Sequence, residues 1–277
     1  MIIFTTFFLL GLNYFFLKVI GINLIFFFMR LQSLYFSGLK KEKFWTSISY
    51  LLFFPEMITG PHREFNSWNK PRLKIGKLFN IDSLLGLLFY LNLILGSGYI
   101  FSLIEGFNNS YPYQTVIVMY TLFLQFWAAS RIVNFVSLLF NQEVVRNFNN
   151  PFMAKSFSAF WPRWHVSLGN YVKKYITQPL NYLTLKKGYP KFKSYFLSVL
   201  VSFLFIALWH KISFSFLLFA LIASIILIIE RKFLEPLIKR ISTFKRFNFL
   251  LMLYAQIAFL LSVSPLTNDI RKILITP

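Results

Sequence analysis

Histidine is the best candidate for proton-transfer chemistry in this chain, which holds three histidines, nine carboxylates and no cysteine. The unperturbed imidazole pKa, about 6.5, lies close to neutral pH and suits a general base. His165 falls in a tryptophan-rich stretch, His210 follows Trp209 at the end of an apolar run, and His62 is interpreted as a loop residue. The absence of cysteine excludes disulfides and thiolate chemistry. No serine-centred nucleophile motif or metal-ligand spacing is present, which favours direct group transfer without a covalent enzyme intermediate.

The stretch 160–180, FWPRWHVSLGNYVKKYITQPL, predicts an amphipathic helix lying partly in the plane of a membrane. Pro162 suits a first helical turn, and Pro179 is expected to end the helix. The apolar face holds Trp161, Trp164, Leu168, Tyr171, Val172, Tyr175 and Ile176, and the polar face holds Arg163, Ser167, Asn170, Lys173 and Lys174. His165 lies within the apolar face. From this stretch alone, His165 is either a packed core residue of a surface helix or a functional group.

The composition indicates a membrane protein: hydrophobic residues make up 57% of the chain and the mean hydropathy is +0.60. The net charge of +20 would also suit nucleic-acid binding. However, the basic residues lie mostly between apolar runs, as in cytoplasmic loops under the positive-inside rule. The pattern therefore excludes nucleic acid as a partner and favours the lipid bilayer.

The apolar runs predict a polytopic helical protein. Membrane spans are expected at 2–29, 83–104, 113–140 and 247–264, with a hairpin of 194–210 and 212–229 that places His210 at its turn. A signal peptide is the rival interpretation of 2–29, but the run is too long and lacks a basic start. Basic loops at 30–43, 60–82, 141–160, 186–193 and 230–246 are predicted inside, with 105–112 and 265–277 outside.

Two further segments have unusual chemistry for a membrane protein. The run 44–59 is short, broken by Pro55 and flanked by basic residues, which predicts a re-entrant or interfacial piece. The run 113–140 carries Arg131 at membrane depth, where a charge is costly and normally faces a bundle interior or a wet cavity. Snorkelling of Arg131 from a helix end is the alternative.

Four blocks of sequence resemble the membrane-bound O-acyltransferases, in their bacterial alginate-acetylating and D-alanine-transferring branch. Residues 160–180 are similar to that branch's Phe-Trp-x-Arg-Trp-His-x-Ser signature. FFPEMITGPHREF at 53–65, NFNNPFMAKSFSAFW at 147–161 and ALWHKISFSFLLFALIAS at 207–224 resemble three further family segments, in the family order. Lys211 replaces the glycine usual after the catalytic histidine, and WAASRIVNF around Arg131 departs from the family pattern.

The resemblance implies an all-α, polytopic transmembrane bundle around a central tunnel, with re-entrant and in-plane amphipathic helices. It implies a single membrane domain over 1–277 that is shorter than its relatives, lacking N-terminal spans and some C-terminal ones. His210 matches the catalytic base, and His165 matches the second family histidine, which orients substrate or donates a hydrogen bond to the carbonyl. The expected substrate tunnel is lined by Trp164, Arg163, Trp209, Asn147 and Arg131.

The activity implied is transfer of an acyl group from a cytoplasmic thioester to a hydroxyl of an exported polysaccharide or cell-envelope glycan. The acyl group expected is acetyl. The donor would be acetyl-CoA or an acyl carrier, acting as a substrate; no tightly bound cofactor and no metal are expected. The acceptor is the glycan itself or a periplasmic or extracellular transfer partner. The location expected is the inner (cytoplasmic) membrane, as a multi-pass protein. Alternatives are an inactive shortened homologue serving assembly or acyl passage, and a transporter or channel.

Overall fold

The computed structural model describes residues 2–3, 5–10, 25–37, 44–56, 63–68, 81–105, 111–140, 142, 146–243 and 245–275. These residues confirm the predicted all-α fold, since they form helices and turns and contain no strand. Within them, four helices are long and apolar enough to cross a membrane: Tyr113–Leu139, Lys191–His210, Phe214–Ser242 and Asn248–Arg271. The chain is a multi-pass membrane protein.

The helices follow one another in a simple order. They are α1 (Ile25–Ser37), α2 (Phe44–Leu51), α3 (Phe65–Trp68), α4 (Ile81–Glu105), α5 (Tyr111–Leu139), α6 (Phe157–Phe160), α7 (Val166–Val172), α8 (Gln178–Lys186), α9 (Lys191–His210), α10 (Phe214–Ile229), α11 (Glu235–Ser242), α12 (Asn248–Val263) and α13 (Thr267–Ile275). Wider π-helical turns at Lys173–Thr177 and Glu230–Leu234 join α7 to α8 and α10 to α11.

The chain divides into two compact units, residues 1–94 with 126–147 and residues 95–125 with 148–277. The single membrane domain expected over 1–277 stays a prediction. Most of the predicted span 2–29 lies outside the described residues, which resume at α1. The described part of the run 44–59 forms α2, whose eight residues extend about 12 Å, too short to cross a bilayer.

A buried ion-pair cluster lies at the centre of the first unit. The carboxylate of Glu56 accepts hydrogen bonds from the guanidinium groups of both Arg30 and Arg63, and all three side chains are at most 3% exposed. Arg30 also donates to the carbonyl of Phe53 at 3.1 Å, and the Tyr50 hydroxyl donates to the carbonyl of Arg63 at 2.6 Å. These contacts hold the α2 region against α1.

The cluster corrects one prediction, because Arg30 was expected in the loop 30–43. Arg30 instead lies within α1, and its guanidinium is packed over the rings of Tyr50 and Phe53. Arg63, expected in the loop 60–82, lies outside the helices and is buried. Two cations can be buried here because Glu56 supplies a carboxylate to both. The prediction for Arg30 failed because Glu56 is 26 positions away in the sequence.

The second unit is built on the predicted hairpin, which the structure confirms: α9 ends at His210 and α10 begins at Phe214. The Ser213 side chain accepts from the Phe216 amide and so caps the start of α10. Residues 230–246 were predicted as a loop and 265–277 as a tail, but they hold α11 and α13. Both are strongly amphipathic helices rather than loops, which a count of basic residues does not reveal.

The segment 148–160, predicted as part of the cytoplasmic loop 141–160, is packed into the protein, and the side of the membrane on which it lies stays a prediction. Its aromatic side chains are packed in the core of the second unit: Phe148, Phe157 and Phe160 are at most 8% exposed. The ring of Phe152 stacks on that of Tyr120 at 4.7 Å, and Phe160 stacks on Phe259 of α12 at 4.3 Å. Burial of these rings fixes the approach of the chain to His165.

Candidate active site

The predicted helix over 160–180 is real but displaced along the chain. Residues 161–163 form a 3₁₀ turn, the chain then leaves the helical conformation, and α7 begins at Val166. Pro162 occupies the start of that 3₁₀ turn, where its lack of an N–H has no consequence. The helix begins six residues later than predicted because Trp164 and His165 adopt non-helical backbone angles.

Pro179 does not end the helix, contrary to the prediction, and α8 continues to Lys186. The π-helical turn at 173–177 comes directly before it, so the regular ladder of hydrogen bonds is already interrupted where the proline lacks a donor. Pro179 then occupies the first turn of α8, a position that proline tolerates. A π-helical turn inside an α-helix is frequently found near a functional site.

The two predicted faces of this stretch are confirmed in most positions. Leu168, Tyr171, Val172, Tyr175 and Ile176 are buried, at 4% exposure or less, and Lys173 and Lys174 are exposed. Ser167 is the exception, because it was placed on the polar face and is only 2% exposed. The shift in the start of the helix rotates this residue toward the protein.

His165 has a left-handed backbone conformation, with φ 46° and ψ 55°. Such a conformation is unfavourable for a residue with a Cβ atom, and it persists only where the surrounding structure imposes it. Here the conformation separates the 3₁₀ turn from α7 and turns the chain at the start of that helix. The His165 carbonyl accepts from the Gly169 amide at 3.0 Å, which closes the first turn of α7.

His210 is the last residue of α9, at the mouth of the hairpin. Its ring stacks against that of Phe216 on α10, with centroids 5.7 Å apart and planes inclined by 27°. The side chain of His210 is exposed.

The structure brings His165 and His210 together. The imidazole of His165 is buried, and burial together with the nearby His210 lowers the pKa of His165 from 6.5 to about 3. His165 is therefore neutral at physiological pH. A neutral imidazole has one N–H donor and one acceptor nitrogen, so it can orient a second polar group or donate to a carbonyl oxygen.

Both predicted tryptophans are sequence neighbours of the two histidines and pack against other rings. Trp209 lies 6.3 Å from the ring of Tyr171 on α7 and 6.0 Å from that of Phe205 on its own helix. Trp164, the neighbour of His165, packs 5.0 Å from Phe259. These contacts join α7 to α9, and the chain just before His165 to α12.

Each of the other three predicted tunnel residues has contacts within its own unit. Arg163 is half-buried, and its carbonyl accepts from the Asn149 amide at 2.9 Å. Asn147 and Arg131 belong to the first unit. There Asn147 is buried and donates to the Ser130 hydroxyl at 3.4 Å, while Arg131 is exposed and donates to the Tyr90 hydroxyl at 3.1 Å. Their role in a tunnel stays a prediction, and His62 lies outside the described residues.

Lys211 follows His210 directly, and its ammonium group pairs with Asp269 of α13 at 2.9 Å. Ser213 also donates to Asp269, at 3.5 Å. The turn after His210 is therefore tied to α13 by a side chain that sequence analysis singled out and by a carboxylate that it missed. Nothing in the sequence pointed to Asp269, because helix α13 was predicted as a tail.

Trp161 is a second residue whose chemistry the sequence did not reveal. Its indole N–H is buried and meets no acceptor within the described residues. A buried donor without an acceptor is rare, and in a functional site it is available to a ligand oxygen. The ring itself packs 4.9 Å from Phe203 of α9.

The chain is similar to several enzymes of cell-envelope polymers. It is 29% identical over 98 residues to the peptidoglycan O-acetyltransferase of Helicobacter pylori, covering 35% of this chain and 18% of that protein. It is 28% identical over 144 residues to a probable alginate O-acetylase of Pseudomonas putida, with 50% and 28% covered. A teichoic acid D-alanyltransferase of Streptococcus thermophilus is 24% identical over 211 residues, with 68% and 50% covered.

These relatives confirm the resemblance to membrane-bound O-acyltransferases that the four sequence blocks indicated. No family model matches the chain. The matches span between 18% and 50% of the length of these relatives.

Proposed function

We propose that this protein is a membrane O-acyltransferase that moves an acyl group from a thioester to a hydroxyl of a cell-envelope polymer. The acyl group proposed is acetyl. The observation that carries the proposal is the proximity of His165 to His210, which helps to lower the pKa of His165, next to the ring contacts of Trp209 and Phe216. The similarity to an O-acetyltransferase, an O-acetylase and a D-alanyltransferase supports the reaction class.

The reaction needs a base at the acceptor hydroxyl, and we assign that role to His210. The hydroxyl oxygen attacks the thioester carbonyl while His210 takes its proton. The new C–O bond forms as the tetrahedral intermediate develops, and the C–S bond then breaks. The imidazolium of His210 returns the proton to the departing thiolate, so the products are an ester and a free thiol. No acyl-enzyme is required.

His165 is assigned the second role, because it is buried and neutral. Its ring N–H can donate to the carbonyl oxygen, which gains negative charge in the intermediate. A fixed donor in a dry site stabilises such a charge strongly. The left-handed backbone at residue 165 holds the ring without relying on a flexible loop.

The donor is proposed to be acetyl-CoA or an acyl carrier that approaches from the cytoplasm. The acceptor is a glycan or a transfer partner on the opposite side, and the membrane is the cytoplasmic membrane. Basic residues at one end of the second unit support this orientation under the positive-inside rule: Lys186, Lys187, Lys191, Lys193, Arg231 and Lys232 are all exposed there.

The test is transfer of radiolabelled acetyl from acetyl-CoA to peptidoglycan, alginate and teichoic acid fragments by purified protein in proteoliposomes. His210→Ala should lower turnover per folded molecule by about 10²–10⁴-fold, the range typical of a positioned base. His62→Ala removes a histidine from elsewhere in the chain and serves as the matched control, with turnover unchanged. Turnover of His210→Ala equal to that of the wild-type protein would overturn the mechanism. An inactive wild-type protein with all donors and acceptors would instead favour the role of a non-catalytic homologue in assembly or acyl passage.

A further inference from the structure

Glu230 is a buried carboxylate at the end of a membrane-length helix, outside the pair of histidines. It follows α10 directly, begins the π-helical turn Glu230–Leu234, and is 2% exposed. A buried carboxylate is costly unless hydrogen bonds satisfy it. Within a membrane-spanning segment, such a residue calls for a functional explanation that names its partners.

Three donors satisfy this carboxylate, and two of them come from one short helix. The amide of Phe157 donates to Oε2 at 2.7 Å and the amide of Ser158 donates to Oε1 at 2.9 Å. The hydroxyl of Tyr254 on α12 donates to Oε2 at 2.9 Å. Both oxygens of Glu230 are thus engaged as acceptors, so the residue joins α6 and α12 to the end of α10.

Helix α6 depends on these contacts. It has only four residues, too few to be stable by itself, and its first amides have no partners inside the helix. The Ser156 side chain accepts from the Ala159 amide at 3.0 Å, and Glu230 supplies acceptors for the two amides before it. The start of α6 is therefore fixed by a side chain from a different part of the chain.

Helix α6 in turn fixes the path of the chain that leads to His165. From Phe157 the chain passes through α6, the 3₁₀ turn Trp161–Arg163 and Trp164, and then reaches the left-handed residue. Every link is tight: the Trp164 amide bonds to the carbonyls of Phe160 and Trp161, both at 3.2 Å. A displacement at Phe157 would therefore pass along a short, hydrogen-bonded segment to His165.

We propose that Glu230 is a positioning residue, whose carboxylate clamps the segment 157–165 and thereby holds His165 beside His210. It acts through α6 rather than on a substrate, because its oxygens are already engaged by the three donors. The effect on turnover rests on the proposed function, whereas the clamp itself can be measured without any activity.

The decisive variant is Glu230→Gln, which keeps the shape of the side chain but replaces one acceptor oxygen with an NH₂ donor. That donor would face a backbone amide or the tyrosine hydroxyl, so at least one contact is lost. Glu235→Gln is the matched control, because Glu235 lies in the same helical stretch but pairs at the surface with Lys239, at 2.7 Å. Hydrogen–deuterium exchange of peptides covering 157–165 and of peptides from α9 reports the clamp.

We expect Glu230→Gln to speed exchange in 157–165 by about tenfold or more, as loss of a hydrogen bond to a charged group implies. Exchange in α9 should stay within twofold. In acetyl transfer, kcat should fall by about tenfold while the KM for acetyl-CoA stays within twofold, because the base and the donor site are untouched. Glu235→Gln should change none of these quantities.

Unchanged exchange in 157–165, or an equal rise in α9, would overturn the clamp. Faster exchange confined to 157–165, together with unchanged turnover, would overturn the proposal that Glu230 positions His165. If wild-type protein shows no transfer, the proposed function fails while the exchange result still decides the clamp. Should Glu230→Gln not accumulate as folded protein, Tyr254→Phe removes one donor and keeps the carboxylate, and exchange in 157–165 should then rise about threefold. No rise in that variant would overturn the clamp.

Discussion

His165 and His210 lie close enough for His210 to help lower the pKa of His165, although one precedes a short helix and the other ends a membrane-length helix. Contacts between aromatic rings on α7 and α9 bring them together, with Tyr171 packed near both Phe205 and Trp209. The pairing is a property of the tertiary fold and not of either motif alone.

The pair predicts non-additive losses of activity. If His210 and His165 act on the same tetrahedral intermediate, the double variant His165→Ala/His210→Ala should be no more than about threefold slower than His210→Ala alone, since residues that work as a unit are not additive. His165→Ala alone should lose less than His210→Ala. The measurement is turnover per folded molecule, and independent roles would instead multiply the two losses.

The lowered pKa of His165 predicts that stability depends on pH. The unfolded chain binds a proton at this residue below about pH 6.5, whereas the folded protein resists protonation down to about pH 3. Because the unfolded state binds more protons in that window, unfolding becomes easier as pH falls, by about 1 kcal/mol for each pH unit below 6.5.

Thermal unfolding in detergent between pH 5 and pH 8 measures this dependence. His165→Gln should reduce the slope between pH 5 and 6.5. A wild-type midpoint that does not change with pH across this range would contradict the buried neutral imidazole.

The buried cluster of the first unit predicts a large loss of stability on neutralisation of Glu56. In Glu56→Gln the guanidinium groups of Arg30 and Arg63 stay buried without a counter-charge, and breaking such a cluster costs about 3–5 kcal/mol. Arg131→Gln in the same unit removes an exposed cation and should cost less than about 1 kcal/mol. Denaturant titration of the detergent-solubilised protein compares the two, and equal midpoints would refute the structural role of the cluster.

The short helix α2 predicts that the chain re-enters the same face of the membrane. Because the protein contains no cysteine, single cysteines at Ser37 and Asn69 can be labelled uniquely. Both should react with a membrane-impermeant maleimide only from the cytoplasmic side, in inside-out vesicles. Reaction from opposite sides would show that 44–59 crosses the bilayer.

Local patterns predicted the parts of the fold that local forces determine. The hairpin of α9 and α10 was predictable because two apolar runs are separated by a short polar turn with Ser213 as a cap. The buried face of Leu168, Tyr171 and Tyr175 followed from helical spacing alone. The family motifs also indicated His165 and His210 as candidate site residues.

The remaining features depend on partners distant in the sequence. The burial of Arg30 follows from Glu56, and the ordering of the segment 157–160 follows from Glu230. The start of α7 could not be predicted either, because helical periodicity does not reveal a left-handed residue. The prediction that Pro179 ends the helix was wrong for a related reason, since the π-helical turn before it arises from packing and not from residue type.

At residue 165, the strain of a left-handed backbone and the packing of a buried side chain have opposite effects on stability. Glycine adopts a φ of 46° without penalty, so His165→Gly would hold the same main-chain geometry at lower conformational cost. The imidazole is buried, however, so the same substitution would leave a cavity in its place. His165→Gly would therefore exchange backbone strain for lost packing, and its effect on the free energy of unfolding compares the two.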